Sequence, residues 1–520
     1  MVVPELRAWR AARPHVVRVA RMVRPHVARV TRAVRPRAVR LTTPQVTAVA
    51  TTVGLALAAG VVTTAGPWDS TGQRTAERDW AASRTPEGGT DHARTSGTHR
   101  TSPRPAPSAA SVLAGLGGEA SATPAPAPAG KALAEVLDPL LANPVLGSVR
   151  TAVVVDVATG KRLYGKNADQ VQTPASTTKI ATAVAALDAL GPDHRVETRT
   201  VLEPDTKEVV LVGGGDPTLT ARKPADGWAD LETLAERTAT ALKARHMDHV
   251  TLSYDTSLYS GPGLHPIGVN DNIAKVTPLM ADEGRLDHSA SGPAGRAMDP
   301  AADAARTFAD LLHDHGVTAT APGPSKATSR SQALASVSSP PLSALVERML
   351  TNSDNDIAEA LARQVALAAG EEPSFDGDAK AIRAQLKKLG LPLAGAQFAD
   401  GSGLNRADRL SADLLTALLA KAGDPAHPEL RPVLTGLPVA GFTGTLSARY
   451  TDAPTATGVV RAKTGTLTGV NTLAGTVVDK DGRLLAFAFL TSDAASPPNP
   501  LEARAALDHA ATALVACGCR

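Results

Sequence analysis

Cysteine is nearly absent from this chain: two in 520 residues, Cys517 and Cys519, separated by one glycine at the C-terminal end. That scarcity excludes a disulfide-stapled scaffold and a cysteine-rich zinc module. A bridge between residues i and i+2 would be strained, and two thiols with only His509 nearby make no metal site. Neither cysteine is given a catalytic role, and no metal or organic cofactor is expected. Aromatic residues amount to 3%, too few for a base-stacking surface or a carbohydrate platform. Acidic charge is scarce only at the start. The whole chain carries +3, but residues 1–40 hold eleven arginines, no lysine and one glutamate, about +10, which leaves the remainder near −7. A basic tail therefore precedes an acidic body.

The tail repeats Arg13-Pro14-His15, Arg24-Pro25-His26 and Arg35-Pro36-Arg37 at eleven-residue intervals. Such a tail suits anionic lipid, while the prolines argue against nucleic acid, which is not expected as a partner. Next comes an uncharged stretch from Leu41 to Trp68, with its apolar centre from Val46 to Thr63. It is long enough to cross a bilayer, and arginine on its N-terminal side places that side in the cytoplasm. Residues 1–40 read as a basic cytoplasmic tail and 41–68 as a transmembrane anchor or signal segment. No Ala-x-Ala cleavage site stands out. The expectation is a single-pass protein of the cell membrane with its folded part outside, the alternative being secretion after cleavage. Residues 69–130 are rich in Pro, Ser, Thr, Ala and Gly, including Thr123-Pro124-Ala125-Pro126-Ala127-Pro128. They read as a disordered linker.

Chemistry enters with three short strings in one order: Ser176-Thr177-Thr178-Lys179, Ser353-Asp354-Asn355, and Lys463-Thr464-Gly465-Thr466. Pro174 can open a helix, and the apolar run from Ile180 to Leu190 continues it until Gly191-Pro192. Ser176 and Lys179 then share the first turn. A lysine desolvated among apolar neighbours loses pKa and can take the serine's proton. The plain alternative is a helix start with a chance solvent lysine. Ser353-Asp354-Asn355 falls between two helical patterns, where Ser353 can relay a proton to a leaving nitrogen and Asn355 can hold a substrate amide. Asp354 is assigned to capping the second helix. Lys463 to Thr466 lie on a strand that opens a short antiparallel meander with an Asp-Gly turn at Asp481-Gly482. An extended peptide can add to such an edge. There Lys463 attracts a terminal carboxylate, Thr464 and Thr466 donate hydroxyls, and Gly465 admits the substrate backbone. Read alone, this string is an ordinary strand with a surface lysine.

Together the strings resemble those of the penicillin-recognising serine enzymes. More of the chain is similar to one branch, the D-alanyl-D-alanine carboxypeptidase/endopeptidase family of the penicillin-binding-protein-4 type. The additional likeness lies in Val209 to Leu219 with Gly213-Gly214-Gly215-Asp216-Pro217, in Asp400-Gly401-Ser402-Gly403-Leu404, and in Gly441-Phe442-Thr443-Gly444-Thr445. It covers roughly Leu133 to the C-terminus. The resemblance implies Ser176 as acylated nucleophile, Lys179 as general base, and Ser353 and Asn355 in the relay and substrate-holding group. It implies Lys463, Thr464 and Thr466 at the substrate's carboxylate end, and the Ser176 and Thr466 N–H groups as an oxyanion hole. Gly213 to Pro217 are read as a tight turn.

Spacing separates the branches. Between Phe375 and His427 there is no glutamate to activate a deacylating water, which disfavours a β-lactamase. The long gap between the first two strings is read as an inserted accessory region, with strands in Glu197–Val212, a helix at Asp230–Arg245, a strand at His249–Tyr254 and a helix at Ala301–His315. The fold class is α+β: a β-lactamase/transpeptidase-like antiparallel sheet flanked by helices at 176–190, 342–369 and 501–516. The catalytic domain spans 131–195 and 336–520, the accessory region 196–335. The expected activity is serine-type D-Ala-D-Ala carboxypeptidase, with endopeptidase action through the same site. The partners would be peptidoglycan stem peptides ending in D-Ala-D-Ala, β-lactams as covalent inhibitors, and the membrane through the N-terminal segment. The alternatives are a cell-wall-binding scaffold with weak chemistry, or a β-lactamase or esterase on the same fold.

Overall fold

The computed structural model describes residues 130–225, 227–320, 322–493 and 500–517. The basic tail, the apolar segment 41–68, nearly all of the linker, and Cys519 lie outside them. Among the described residues no helix is long and apolar enough to cross a membrane.

Helix α1 (Gly130–Leu141) buries Leu133, Leu137 and Leu141, spaced four apart on one face. Strands β1 (Val149–Asp156) and β2 (Arg162–Lys166) form a hairpin. A 3-10 turn, Ala175–Thr177, leads into α2 (Thr178–Leu190). Every residue of α2 from Thr178 to Leu187 is buried, so this helix is enclosed on all sides. The chain then leaves for the insertion. It contains β3 (Glu197–Leu202), β4 (Glu208–Val212), α3 (Leu231–Lys243), β5 (His249–Asp255), α4 (Pro300–Asp314), β6 (Thr318–Ala319), β7 (Gly323–Pro324) and β8 (Gln332–Ser338). The return passes through α5 (Leu342–Asn352), α6 (Asn355–Ala369), α7 (Phe375–Lys388) and α8 (Ala412–Gly423). Strands β9 (Arg461–Leu467), β10 (Val470–Val478) and β11 (Leu484–Ser492), then α9 (Pro500–Ala516), complete the order.

The main sheet is antiparallel, in the order β2-β1-β11-β10-β9. Alternation along β11 fills two cores: Leu485, Phe487 and Phe489 face α1 and α9, while Ala486, Ala488 and Leu490 face the layer of α2 and α5 to α8. The alanines let that helical layer come close, and the phenylalanines fill the wider space on the other side. Truncating Phe487 to Ala would cost about 3–5 kcal/mol by the cavity left behind. β9 is the sheet's outer strand; its start pairs with the 438–440 segment through the Val439–Arg461 bridge and the Ala462 N–H to the Pro438 carbonyl, and among the described residues no strand pairs with its outer side from Lys463 on.

The insertion has its own mixed sheet, β6-β5-β4-β3-β8, with β7 beside β5, and a separate core under α3 and α4. β8 pairs with β3 as far as Ser338, so this sheet runs three residues past the boundary at 335 drawn from sequence. Sequence also left out α7 and α8. Both start on a serine cap, Ser374 accepting from the Gly377 N–H and Ser411 from the Leu414 N–H. The helical stretch 342–369 is broken at Ser353, whose φ of 60° is left-handed, and restarts at Asp354, whose carboxylate accepts from the Ile357 N–H.

Candidate active site

Ser176 stands on the 3-10 turn before α2, partly exposed, in a cleft of about 360 Å³. Its neighbour Ala175 has a φ of +48°, a strained conformation for a residue with a side chain. The turn is held from below: Thr472 Oγ1 and Thr177 Oγ1 both donate to the Pro174 carbonyl, at 2.9 and 2.7 Å. Gly403 and Gly465 make room for it. A Cβ at Gly403 would overlap the Ala175 carbonyl oxygen, and one at Gly465 would sit 2.8 Å from the Pro174 oxygen. Gly465 is buried and not part of the cleft lining, so its missing side chain serves the nucleophile turn rather than the approach of a substrate backbone.

Lys179 is fully buried, one turn from Ser176. Its Nζ lies 3.0 Å from Ser176 Oγ, 2.6 Å from Asn355 Oδ1 and 2.7 Å from the Ser402 carbonyl oxygen. The Asn355 amide is oriented by its Nδ2, which donates to the Asn272 carbonyl at 2.8 Å. Asn355 Oδ1 and Ser402 O can only accept, so they take two N–H bonds from Lys179. In the neutral amine the lone pair is then left for the Ser176 hydroxyl proton. Burial pushes the Lys179 pKa down to about 8, against the pull of Asp400, Glu359, Asp354 and Asp408 in the opposite direction. This geometry suits a base near neutral pH.

Ser353 sits at the helix break in a left-handed conformation, its N–H donating to the Met349 carbonyl. Lys463 Nζ donates to Ser353 Oγ and to the Thr464 carbonyl, both at 2.8 Å. Lys463 is 0% exposed and is absent from the cleft wall, so it backs Ser353 and does not meet the cleft. Burial, then the charge of Lys179, lowers its pKa well below the ordinary lysine range. Thr464 and Thr466 do face the cleft, and Thr464 Oγ1 donates to Thr445 Oγ1 at 2.9 Å. Of the eight residues marked from sequence, Ser176, Ser353, Asn355, Thr464 and Thr466 line the cleft. Lys179, Lys463 and Gly465 lie directly behind it.

The Asp400 to Leu404 loop supplies what sequence reading could not assign. Its Ser402 carbonyl holds Lys179. Asp400 accepts from the N–H groups of Gly403 and Asn405, at 2.6 and 2.7 Å, and from Ser402 Oγ at 3.2 Å. Glu359 accepts from the Gly401 and Ser402 N–H groups. From the insertion comes His265, wholly buried, with Nε2 3.0 Å from Asp400 Oδ2. Its Nδ1 accepts from the Ile267 N–H, so Nε2 carries the proton that Asp400 receives. Burial alone would raise Asp400, but the bonds from His265 and Asp408 win and hold it at about 2. Burial and the charge of Asp400 push Asp408 well up. His265, Glu359 and Asp400 are close enough to bracket a cation, yet their oxygens are filled by N–H and O–H donors, a hydrogen-bonded network rather than an open ligand set.

The insertion also grips the helix break. Arg296 Nη1 pairs with Asp356 at 3.0 Å, the Ala274 N–H donates to Asp356, and Arg348 pairs with Glu283 at 2.9 Å. Gly213 to Asp216 run irregularly and the chain turns only at Pro217-Thr218, where Asp216 accepts from Thr218; the Gly213 and Gly215 N–H groups donate to the Asp255 and Pro278 carbonyls, and the Gly214 carbonyl accepts from Gln364 on α6.

Comparison with known proteins places these features. The sequence profile of the D-Ala-D-Ala carboxypeptidase 3 (S13) family matches residues 133–293 and 283–514. A carboxypeptidase of Mycobacterium tuberculosis is 37% identical over 81% of this chain and 92% of its own length. The carboxypeptidase DacB of Mycolicibacterium smegmatis is 38% identical over 76% of this chain and 86% of its own. Among solved structures, penicillin binding protein 4 of Haemophilus influenzae shares the fold, with a TM-score of 0.58 at 22% identity, covering 73% of this chain and 97% of that one.

Proposed function

This chain belongs to the D-Ala-D-Ala carboxypeptidase 3 (S13) family, and from that premise we propose an acyl-transfer cycle on Ser176 that trims peptidoglycan stem peptides. The enzyme is a serine D-Ala-D-Ala carboxypeptidase that also takes β-lactams. Ser176 Oγ attacks the carbonyl carbon of the penultimate D-Ala while Lys179 Nζ accepts its proton. Ser353, backed by Lys463, passes a proton to the leaving nitrogen, and the terminal D-Ala departs as the C–N bond breaks. Water then hydrolyses the Ser176 ester and restores the hydroxyl. The N–H groups of Ser176 and Thr466 are assigned to the oxyanion, and Asn355 to the substrate amide.

The observation that carries this reading is the Lys179 amine, with two N–H bonds committed to fixed acceptors and its third neighbour the Ser176 hydroxyl. Among the described residues no glutamate lines the cleft, which supports a long-lived penicillin adduct over rapid deacylation. The outer side of β9 from Lys463 on, past the segment that pairs with Arg461, suits an extended peptide in either a free or a cross-linked stem. Residues 41–68 and the arginine tail support a membrane tether with the enzyme outside the cytoplasm.

Intact-protein mass after a fluorescent penicillin, on the full chain and on Ser176→Ala, tests the cycle. A lasting adduct on the native chain alone is expected. No adduct on folded protein would overturn the cycle in favour of a cell-wall scaffold, and fast drug turnover would make the chain a β-lactamase. A digest of purified muropeptides then measures carboxypeptidase against endopeptidase cleavage. Membrane fractionation of cells with and without residues 1–68 tests the tether.

A further inference from the structure

The acceptors that fix the Lys179 amine, Asn355 Oδ1 and the Ser402 carbonyl oxygen, are both tied to the insertion. Ser402 is tied through its loop, where His265 of the insertion binds Asp400. Asn355 opens α6, and the insertion takes hold of the helix there. The Asn272 carbonyl accepts from Asn355 Nδ2, the Ala274 N–H donates to Asp356 Oδ1, and Arg296 Nη1 reaches Asp356 Oδ2 at 3.0 Å.

Arg296 is the part of this hold that the backbone does not supply. Its own place is fixed by pairing inside the insertion. The Leu286 N–H donates to the Gly295 carbonyl and the Ala297 N–H to the Gly284 carbonyl, on either side of the Arg285–Arg296 bridge. Arg296 Nη1 also donates to the Glu283 carbonyl at 2.6 Å, where Asp282 and Glu283 are held at left-handed φ values of 51° and 56°. One guanidinium nitrogen therefore joins the insertion backbone to the second residue of α6. The side chains of Arg296 and Asp356 are 5% and 2% exposed, so solvent screens the pair weakly. Burial pushes Asp356 up to about 7, and the Arg296 charge is the foremost influence in favour of the carboxylate. The neighbouring acids are matched likewise: Arg285 and Arg348 face Glu283, and Arg348 also approaches Asp354.

We propose that Arg296 is a positioning residue for the general base: through Asp356 it fixes the first turn of α6 and so keeps Asn355 Oδ1 on the Lys179 amine. The insertion then serves proton transfer from Ser176 without touching the reacting atoms. A small drift of Asn355 would release one N–H of Lys179, and the amine lone pair would no longer be directed at the Ser176 hydroxyl. This inference rests on the acyl-transfer reading above.

The test follows acylation by a fluorescent penicillin on the full chain in a double-mutant cycle: Arg296→Gln, Asn355→Ala and the two together, with thermal unfolding as a check on folding. Arg296→Gln is expected to slow the acylation step about tenfold while the preceding binding constant stays within about twofold. In the Asn355→Ala background the same change should cost less than about twofold, because the residue through which it acts is gone. Arg296→Lys keeps the charge and should retain more of the rate than Arg296→Gln. Should Arg296→Gln fail to fold, Arg296→Gln with Asp356→Asn leaves no unpaired acid at that position and is expected to show the same slow acylation. A loss that persists without Asn355, or one that appears in the binding constant, overturns the assignment and makes Arg296, which lines the cleft, a direct substrate contact. Unchanged acylation in Arg296→Gln overturns it as well. A wild-type chain that captures no penicillin overturns the acyl-transfer reading first, and the positioning role with it.

Discussion

Lys463 directs its ammonium to the Ser353 hydroxyl, 2.8 Å away, from a fully enclosed position. Among the described residues no carboxylate pairs with it, and burial holds its pKa well down. Its service is therefore to the relay serine, at some expense in stability. Lys463→Met is expected to slow penicillin acylation by about 10²-fold or more, the scale of a lost proton-transfer partner. The same change should leave the melting temperature unchanged or higher, because a buried amine without a counter-charge is removed. Stopped-flow acylation and calorimetry check the pair of outcomes; a large fall in melting temperature with acylation intact would reverse the roles.

The Lys179 pKa of about 8 sets a pH profile. Only the free amine can take the Ser176 proton, so acylation should rise tenfold per pH unit below about 8 and level off above it. The sign for folding follows from the same shift. Because the native pKa lies below the unfolded one, the unfolded chain holds more protons between them, and this group's contribution to stability rises with pH from about 8 into the ordinary lysine range. Glu359→Gln removes one of the carboxylates that raise Lys179, so the inflection should move to lower pH. Acylation rates from pH 6 to 10 measure it.

Gly403 has a φ of +81°, and a Cβ there would overlap the Ala175 carbonyl oxygen. Gly403→Ala should displace the nucleophile turn and reduce acylation by about 10²-fold, the effect of an ångström-scale misplacement of a reacting group. Secondary structure by circular dichroism should be retained. Normal acylation by this variant would mean that the turn tolerates movement.

His265 ties the insertion to the base. Removing its ring in His265→Ala leaves Asp400 short of one charge-assisted bond inside a sealed site, a loss of about 2–3 kcal/mol. The urea midpoint should fall accordingly. The acylation inflection should also move, since the Ser402 carbonyl is held by the same loop. A change in midpoint with an unaltered pH profile would confine His265 to packing.

Much of the site was legible because its chemistry is local. Ser176 and Lys179 are three apart at a helix start, and helical periodicity alone puts them on one face. Asp354 is followed by the periodic residues of α6, and its cap is visible in the sequence. The meander from Val470 to Leu490 declares itself by apolar runs around Asp481-Gly482. Boundaries were less secure where pairing is distant: β8 belongs to the inserted sheet only because β3 lies beside it, more than a hundred residues earlier.

By itself the sequence determined the order of the three strings, the fold class, and the serine and lysine that begin the chemistry, since these depend on residue type and short spacing. Tertiary structure decided where the charges go. Lys463 reads from its string as a cation for the substrate, yet packing encloses it and turns it to Ser353. Arg504 reads as one more arginine on a terminal helix, yet packing brings it to the cleft wall beside the Arg449–Asp508 pair. The Asp400 loop stands out in the sequence by family likeness, but it holds Lys179 through a backbone carbonyl, which every residue possesses, so its role shows only in the fold. Burial and counter-charges arise only when distant segments meet, and on them depends which of several equivalent cations meets the solvent-filled cleft.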